Sequence, residues 1–248
     1  MAKDLFSNQA SLYAQYRPVY PGELYEFILQ QVTNPQRAWD CATGNGQAAV
    51  GLAHYFEKVM ATDISEKQLQ QAIPNEKITY SISTAEQTPF PDNSFDCITV
   101  AQAYHWFQFE AFEKEVKRIG KRGAVVAIWG YSLVVCDDEA LNTIIKSFYR
   151  DTVGAYWDKE RRYIDDHYTT VPFPYEALPS KEFQINLQWS CRQLIGYFNT
   201  WSSVQHFIKA HQYNPVDELA AVIEKVWPGE DLKSFYFPLF LKLGKVVK

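Results

Sequence analysis

Four residues near the start of the chain have types and spacing that can do chemistry: Asp40, Gly44, Gly46 and, further on, Asp63. They belong to the stretch "RAWDCATGNGQAAVGLA" (Arg37–Ala53) and to the next apolar run, "KVMATD" (Lys58–Asp63). Glycines between an apolar strand and a helix allow a tight turn and close approach of a ligand to the backbone. Gly44-Asn45-Gly46-Gln47-Ala48-Ala49 fits the loose nucleotide-binding pattern G-x-G-x-x-G/A. Asp63 ends the following strand, where a carboxylate can accept from both hydroxyls of a ribose. No lysine follows the glycines, which excludes a P-loop. A glycine pair alone is equally a plain strand-to-helix turn, and the alternative for Asp40 is a turn or helix cap.

Asp40 separates the ligand types that this arrangement accepts. A carboxylate beside the loop repels a dinucleotide pyrophosphate by several kcal/mol in a partly desolvated site. It attracts an ammonium, directly or through water. S-adenosylmethionine carries an ammonium, a carboxylate and a sulfonium, and no phosphate.

A second group of candidates follows the mostly apolar run "FDCITVAQA" (Phe95–Ala103). There Tyr104-His105-Trp106 leaves the carboxyl end of a strand, where ligands bind in open α/β sheets. His105 is a candidate base or acceptor-binding group; a histidine satisfied by a main-chain carbonyl and packed under Trp106 is the alternative. Tyr13, Tyr16, Arg17 and Tyr20 are placed to close the site from the N-terminus. Trp129, Tyr131, Tyr156 and Trp157 are candidate walls of an apolar pocket. Arg161-Arg162 is a candidate for binding an acid, or an exposed charge pair. The histidines form no HxxxH pair and Cys41, Cys97, Cys136 and Cys191 no CxxC pair, so no metal is expected from local spacing.

The elements that must position these residues read from apolar periodicity. Strands are expected at Arg37–Ala42, Lys58–Asp63, Lys77–Ser83, Phe95–Ala103 and Gly123–Gly130. Helices are expected after the glycines (Ala49, Leu52, Ala53, Phe56), over "ISEKQLQQA" with Ser65 as N-cap, and through Phe109, Phe112, Val116 and Ile119. This alternation predicts a parallel sheet with right-handed crossovers. The rhythm breaks at Tyr131, and an insertion to about Ser180 carries one amphipathic helix (Leu141, Ile144, Ile145, Phe148). "EFQINLQWS" returns to strand, Asn214-Pro215 opens a helix through Val216, Leu219, Ala220 and Ile223, and "SFYFPLFLKLGKVV" is a final strand. Pro238 predicts a bulge or an edge position there.

Composition narrows the class. The chain has 248 residues, 47% hydrophobic and 21% charged, with a formal net charge of −5. That is ample for a globular α/β domain. No Lys/Arg block provides the footprint of a nucleic-acid-binding protein. The N-terminus has no apolar signal core and no run approaches a membrane span, and the scattered cysteines suit a reducing compartment, so a cytoplasmic location with no membrane partner is expected.

Several of these motifs together resemble the class I S-adenosylmethionine-dependent methyltransferases, in particular the type 11 small-molecule branch that includes trans-aconitate methyltransferase-like proteins. Asp40, Ala42, Gly44 and Gly46 match that family's D-x-G-x-G-x-G, with Ala42 in place of its first glycine. "ATDIS" resembles the ribose-binding motif around Asp63. "STAEQTPFPDNSFD" resembles the adenine-binding segment, with Ala85 and Glu86 in place and Thr84 where the family often has aspartate. "AQAYHWF" and "YAQYRPVYP" also look like this branch, and the likeness covers about Phe6 to Gly130 and returns at "GYFNTWSSVQ" (Gly196–Gln205).

The resemblance implies an α/β Rossmann-like fold: a seven-stranded, mostly parallel sheet with helices on both faces, an antiparallel last strand and an insertion after the fifth. It implies one domain over 1–248, with 1–30 as a cofactor lid, 31–130 as the cofactor-binding core, 131–180 as a cap over the acceptor site and 181–248 completing the sheet. It implies S-adenosylmethionine as cofactor, held by Tyr13, Arg17, Asp40, Ala42, Gly44, Gly46, Asp63, Ile64, Gln68, Thr84, Ala85, Glu86, Ala101 and Gln102. Tyr104, His105, Trp106, Trp129, Tyr131 and Trp157 are expected around the acceptor. The reaction is in-line displacement onto oxygen or nitrogen of a small molecule, with His105 as base where the acceptor is protonated; a carboxylate acceptor needs none. The (N/D)-P-P-(Y/F) element of DNA amino-methyltransferases is absent. Two alternatives remain at this stage. One is an NAD(P)-dependent oxidoreductase, against which Asp40 and the lack of a Tyr-x-x-x-Lys element count. The other is a non-catalytic S-adenosylmethionine-binding protein, suggested by Ala42 and Thr84.

Overall fold

Short apolar runs separated by amphipathic segments fold into one twisted sheet in a computed structural model that describes residues 16–248. Helix α1 (Gly22–Leu29) precedes strand β1 (Arg37–Cys41), helix α2 (Gln47–Ala53), strand β2 (Lys58–Asp63), the single turn α3 (Glu66–Leu69) and strand β3 (Ile78–Ile82). Strand β4 (Phe95–Ala101), helix α4 (Phe109–Ile119) and strand β5 (Gly120–Tyr131) complete the alternating part. Strand β6 (Val135–Cys136), helix α5 (Glu139–Ser147), helix α6 (Arg161–Asp165) and strand β7 (Glu176–Ala177) form the insertion. Strand β8 (Phe183–Trp189), helices α7 (Cys191–Asn199), α8 (Ser202–His211) and α9 (Pro215–Val226) and strand β9 (Lys233–Lys245) follow.

The sheet order is β3-β2-β1-β4-β5-β9-β6, with β7 and β8 also paired to β9. Strands β1 to β5 pair in parallel, and β9 runs antiparallel to β5 and β8. Setting aside the two-residue strands β6 and β7, this is the expected mostly parallel sheet with a reversed last strand. Side chains alternate between two cores, as the two-residue strand period requires. Ala38, Val59, Cys97, Val125 and Ala127 pack with α1 and α2 on one face. Trp39, Ile98, Val126 and Ile128 pack with Phe112, Val116 and Ile119 of α4 on the other.

Local chemistry sets the helix starts. Ser65 accepts from the Gln68 amide, Asp138 from the Leu141 amide, Ser190 forms a capping box with Gln193, and Asn214 accepts from the Val216 amide ahead of Pro215. The helix expected over "ISEKQLQQA" is only one turn. The strand expected to reach Ala103 stops at Ala101, because Gln102 adopts a left-handed φ of 56°.

Pro238 is neither at an edge nor in a bulge. It pairs with Gln184 of β8, and its carbonyl accepts from Ser132 N (2.9 Å) on the opposite side, where β5 has ended. N–H and C=O of one residue point the same way in a strand, so the missing donor faces that gap and the β8 ladder is intact.

The insertion is divided between the two cores. Leu141 and Ile145 join the α1/α2 face together with α7, α8 and α9, whereas Ile164, Tyr168, Val171 and Tyr175 join the α4 face. Between them, Trp157, Arg161 and Ile164 share a cavity with Gln102 and His105, just beyond the carboxyl end of β4.

Candidate functional site

The loop after β1 is built from left-handed residues: Ala42 at φ 54°, Gly44 at 58° and Gly46 at 85°. Glycine takes this conformation without steric cost; alanine pays roughly 1–2 kcal/mol. Gly46 has a second constraint, since a Cβ there would lie 2.3 Å from Tyr80 Oη. Below the loop, Asp40 is fully buried and accepts from Thr43 Oγ1 and from Thr99 Oγ1 (2.8 Å). Burial pushes its carboxyl up to about 6 despite both hydroxyls. Thr43 N donates to Thr62 O (2.9 Å), tying the loop to β2. At the end of β2, Asp63 Oδ2 accepts from Gly44 N (2.8 Å) and Oδ1 from Ser65 N (2.9 Å). One carboxylate therefore fixes two successive ligand-side loops.

These loops wall a cleft of about 990 Å³. Ala42, Gly44, Asp63, Ile64, Gln68, Ala85, Glu86, Ala101 and Gln102 meet there, as do Tyr20 and Trp106. Four other candidates do not line it. Asp40 lies beneath the loop, its oxygens turned to the threonines rather than to the cleft. Gly46 is turned against Tyr80. Thr84 is exposed and its hydroxyl donates to Gln87 O (3.3 Å). Arg17 belongs to the neighbouring cavity. Tyr13 lies outside the described residues. Thr43, Asn45, Gln47, Ser65, Ser83 and Phe107 also line the cleft and were not anticipated, although every one lies within three residues of an anticipated position or follows Trp106 directly.

A second cavity, of about 640 Å³, abuts the first through Gln102 and Trp106, which line both. Arg17, His105, Trp157, Asp158, Arg161, Tyr197, Trp201 and Ser202 line the rest with Leu133 and Ile164. Arg17 Nη1 donates to Tyr131 Oη (2.8 Å), Nη2 donates to Thr200 O (3.3 Å), and the guanidinium sits 5.3 Å from the Tyr197 ring centre. Arg161 Nε donates to Tyr149 Oη (3.0 Å); its guanidinium pairs with Asp165 (3.4 Å) and lies 4.8 Å from the Trp157 ring. Burial works against the Arg161 charge, but Tyr149 and Asp165 outweigh it and keep its pKa above the usual arginine value. Arg162 is exposed against Tyr163, so the two adjacent arginines separate.

His105 is buried, with Nδ1 2.7 Å from Tyr168 Oη and its ring 4.6 Å from that of Trp106. Burial, helped by the charge of Arg161, pushes its pKa down to about 3, so the imidazole is neutral. Three expected acceptor-site residues line neither cavity. Tyr104 is buried on the α4 face with its hydroxyl donating to Pro172 O (2.7 Å). Trp129 is fully buried against Tyr20 and Tyr25. Tyr131 packs on Phe237 and holds Arg17 from behind. Strand alternation turns Trp129 and Tyr131 inward together. Tyr156 likewise packs on Phe207. Tyr197, Trp201 and Ser202 were not anticipated as lining residues; their one signal was the family-like segment "GYFNTWSSVQ". Among the described residues no cluster of three His, Cys, Asp or Glu side chains could hold a metal ion.

A sheet of this order, with a left-handed loop after β1 and a carboxylate closing β2, defines a Rossmann-like methyltransferase fold. The comparisons with known proteins agree. The methyltransferase domain family, type 11, matches residues 39–128. A protein of Dictyostelium discoideum assigned as a methyltransferase is 33% identical over 98% of this chain and 95% of its own. A solved structure from Anaeromyxobacter dehalogenans, assigned as a type II methyltransferase, superposes with a TM-score of 0.86 at 32% identity, covering 94% of this chain and 99% of that one. A Bacillus subtilis protein of known structure shares the fold at a TM-score of 0.52 and 17% identity, over 91% of this chain and 98% of that one. The chain belongs to the class I S-adenosylmethionine-dependent methyltransferases. It is an enzyme of that family with S-adenosylmethionine as its cofactor, and the nicotinamide and non-catalytic alternatives fall away.

Proposed function

We propose that this enzyme methylates a small acidic molecule on a carboxylate oxygen. The observation that carries the reading is the second cavity: it opens on the cofactor cleft at Gln102 and Trp106 and presents two guanidinium groups, Arg17 and Arg161. Aromatic walls from Trp157, Tyr197 and Trp201 suit the apolar part of such a molecule.

The first cavity fits the cofactor. Gly44 lacks a Cβ on the cleft side, where the nearest atom to one would be Gln68 Oε1 at 3.9 Å, so the backbone is open to close approach. Asp63 would take the ribose hydroxyls, since carboxylate oxygens accept more than one donor each. Ile64, Ala85 and Phe107 would enclose the adenine, with Ser83 and Glu86 at its polar edge. Ala42, Gly44, Gln47, Ala101 and Gln102 would surround the methionyl part, beneath Tyr20. Bound there, S-adenosylmethionine supplies a methyl group on a sulfonium leaving group.

The chain's own residues then have three tasks. Arg17 and Arg161 bind and orient the anion. The aromatic walls exclude water. Gln102 stands between the two sites, fixed by its own N–H to Trp129 O (2.9 Å) and by Nε2 to Tyr131 O (3.1 Å). A carboxylate oxygen attacks the methyl carbon as the carbon–sulfur bond breaks, and the electron pair stays on sulfur. An anion and a sulfonium become a neutral ester and a neutral thioether, so no proton moves. Loss of both charges is favoured in a dry cavity.

The lid role of 1–30 is supported within the described part by Arg17 and Tyr20, and the cap role of 131–180 by Trp157, Arg161 and Ile164. A cytoplasmic location is supported by four free cysteines. No helix among the described residues is long and apolar enough to cross a membrane. The test is a screen of small carboxylic acids against matched amides, amines and alcohols, read by S-adenosylhomocysteine release and by base-labile product. Turnover of amines or alcohols with none of the acids would sink the reading.

A further inference from the structure

His105 lines the second cavity beside both arginines, and its ring chemistry depends on where its one proton sits. The geometry points to a locked tautomer: Tyr168 holds His105 with its proton on Nε2, so that the imidazole donates a hydrogen bond to the acceptor's carboxylate and is not a base. This rests on the reading above that the second cavity holds an acidic acceptor.

Two observations lead there. The Tyr168 hydroxyl is 2.7 Å from Nδ1 of His105, and Tyr168 has no solvent exposure, so water does not compete for that hydroxyl. Among the described residues that hydroxyl has Nδ1 as its hydrogen-bond partner, and a hydroxyl always carries a proton to place. With the ring proton on Nδ1 the oxygen would accept and leave its own proton buried without an acceptor, so the hydroxyl donates to Nδ1. Nδ1 then carries the ring's lone pair, and a neutral ring must carry its proton on Nε2. The Nδ1 bond is the hydrogen bond that the His105 ring makes among the described residues, which leaves Nε2–H to the cavity.

The consequence is chemical. A general base needs a lone pair facing the acceptor, and this tautomer offers a proton instead. The site is built for an acceptor that arrives already ionised. Nε2–H and the two guanidinium groups would bind the carboxylate oxygen that is not the nucleophile. Tyr168 is a positioning residue that acts through His105.

Imidazole ¹⁵N NMR of the full chain with bound S-adenosylhomocysteine reads the tautomer directly and needs no acceptor. The expected result is a protonated, pyrrole-type Nε2 and an unprotonated, pyridine-type Nδ1 for His105, with the preference lost in Tyr168→Phe. The reverse pattern in the wild type overturns the inference, as does an unchanged tautomer in a folded Tyr168→Phe. With an acid acceptor in hand, His105→Gln, which keeps an N–H donor near the Nε2 position, should retain turnover to within about tenfold. His105→Leu should raise the acceptor KM at least tenfold with cofactor affinity unchanged. A loss of roughly 10²–10⁴-fold in kcat for His105→Gln is the mark of a base and would overturn the inference. The two readings fail separately. An Nε2–H tautomer in an enzyme that turns over only amines or alcohols refutes the acidic acceptor alone, and the opposite tautomer in one that esterifies acids refutes the His105 role alone.

Discussion

The proposed cofactor cleft and the proposed acceptor cavity share a wall and are built in opposite ways. The cleft is lined by short runs of neighbouring residues, 42–45, 63–65, 85–86 with Ser83, and 101–103, each at the carboxyl end of a parallel strand. Its shape comes from main-chain conformation: left-handed turns, and a carboxylate that accepts from two main-chain amides. The acceptor cavity takes Arg17, His105, Arg161 and Trp201 from four distant segments, and side chains hold it together through Tyr131, Tyr149, Tyr168 and Tyr197. A site made of backbone recognises an invariant ligand and tolerates side-chain change around it. A site made of side chains can be re-specified by single substitutions.

Substitutions on the two sides should therefore separate cleanly, and the largest effect is expected on the cofactor side. Asp63→Ala removes the proposed ribose acceptor and unties Gly44 and Ser65. It should weaken S-adenosylmethionine binding by about 2–4 kcal/mol in a calorimetric titration, the scale of lost charge-assisted bonds. Unchanged affinity would mean that the loops hold the cofactor without this carboxylate.

A buried titrating group lies on each side, and the two should pull stability in opposite directions. The Asp40 carboxyl is raised to about 6 in the folded chain from 3.8. The stability tied to its protonated form is thus fully present below pH 3.8 and is lost as pH rises through 6, about 3 kcal/mol in all. His105 is lowered to about 3 from 6.5, so its contribution is present above pH 6.5 and is lost as pH falls, at about 1.4 kcal/mol per pH unit. Denaturant melts from pH 5 to 8 should show Asp40→Asn removing the first dependence and His105→Gln the second. A pH profile that is the same in wild type and both variants would refute these burial effects.

Arg161→Met should raise the acceptor KM by an amount equivalent to about 1.5–3 kcal/mol, the range for a hydrogen bond to a charged group, and leave cofactor binding unchanged. If cofactor affinity fell in parallel, the division into two sites would be wrong. The smallest effect concerns Ala42, a non-glycine residue at φ 54°. Ala42→Gly relieves that strain against the extra entropy of glycine, and should stabilise the fold by up to about 1 kcal/mol in a thermal melt, with little change in cofactor affinity.

Legibility in the sequence divides along the same line. The cleft residues were readable because each loop is a few residues long and follows a strand that its own apolar pattern reveals. The exceptions concern orientation. Asp40 stands at the right place in the motif, but pairing of β1 with β4 sets Thr99 opposite it, and the carboxylate turns to the two hydroxyls under the loop. Thr84 lies one residue from Ala85 in the cleft wall and faces solvent. Around the second cavity, Arg161 and Arg162 are alike as sequence, and only the phase of α6 leaves one half-buried in the cavity wall and the other exposed.

The sequence by itself determined the strand and helix pattern, the sheet's parallel half and most of the loops that wall the cleft, because these follow from local periodicity, glycine conformations and capping side chains. Tertiary structure alone decided which polar groups line the second cavity and which are turned away: the arginine pair in its wall, the Tyr168 hydroxyl on His105, and the burial of Trp129 and Tyr131. Those outcomes depend on contacts between segments as far apart as Arg17 and Tyr131, or His105 and Tyr168, whose meeting is fixed by the closing of two hydrophobic cores and not by any spacing along the chain.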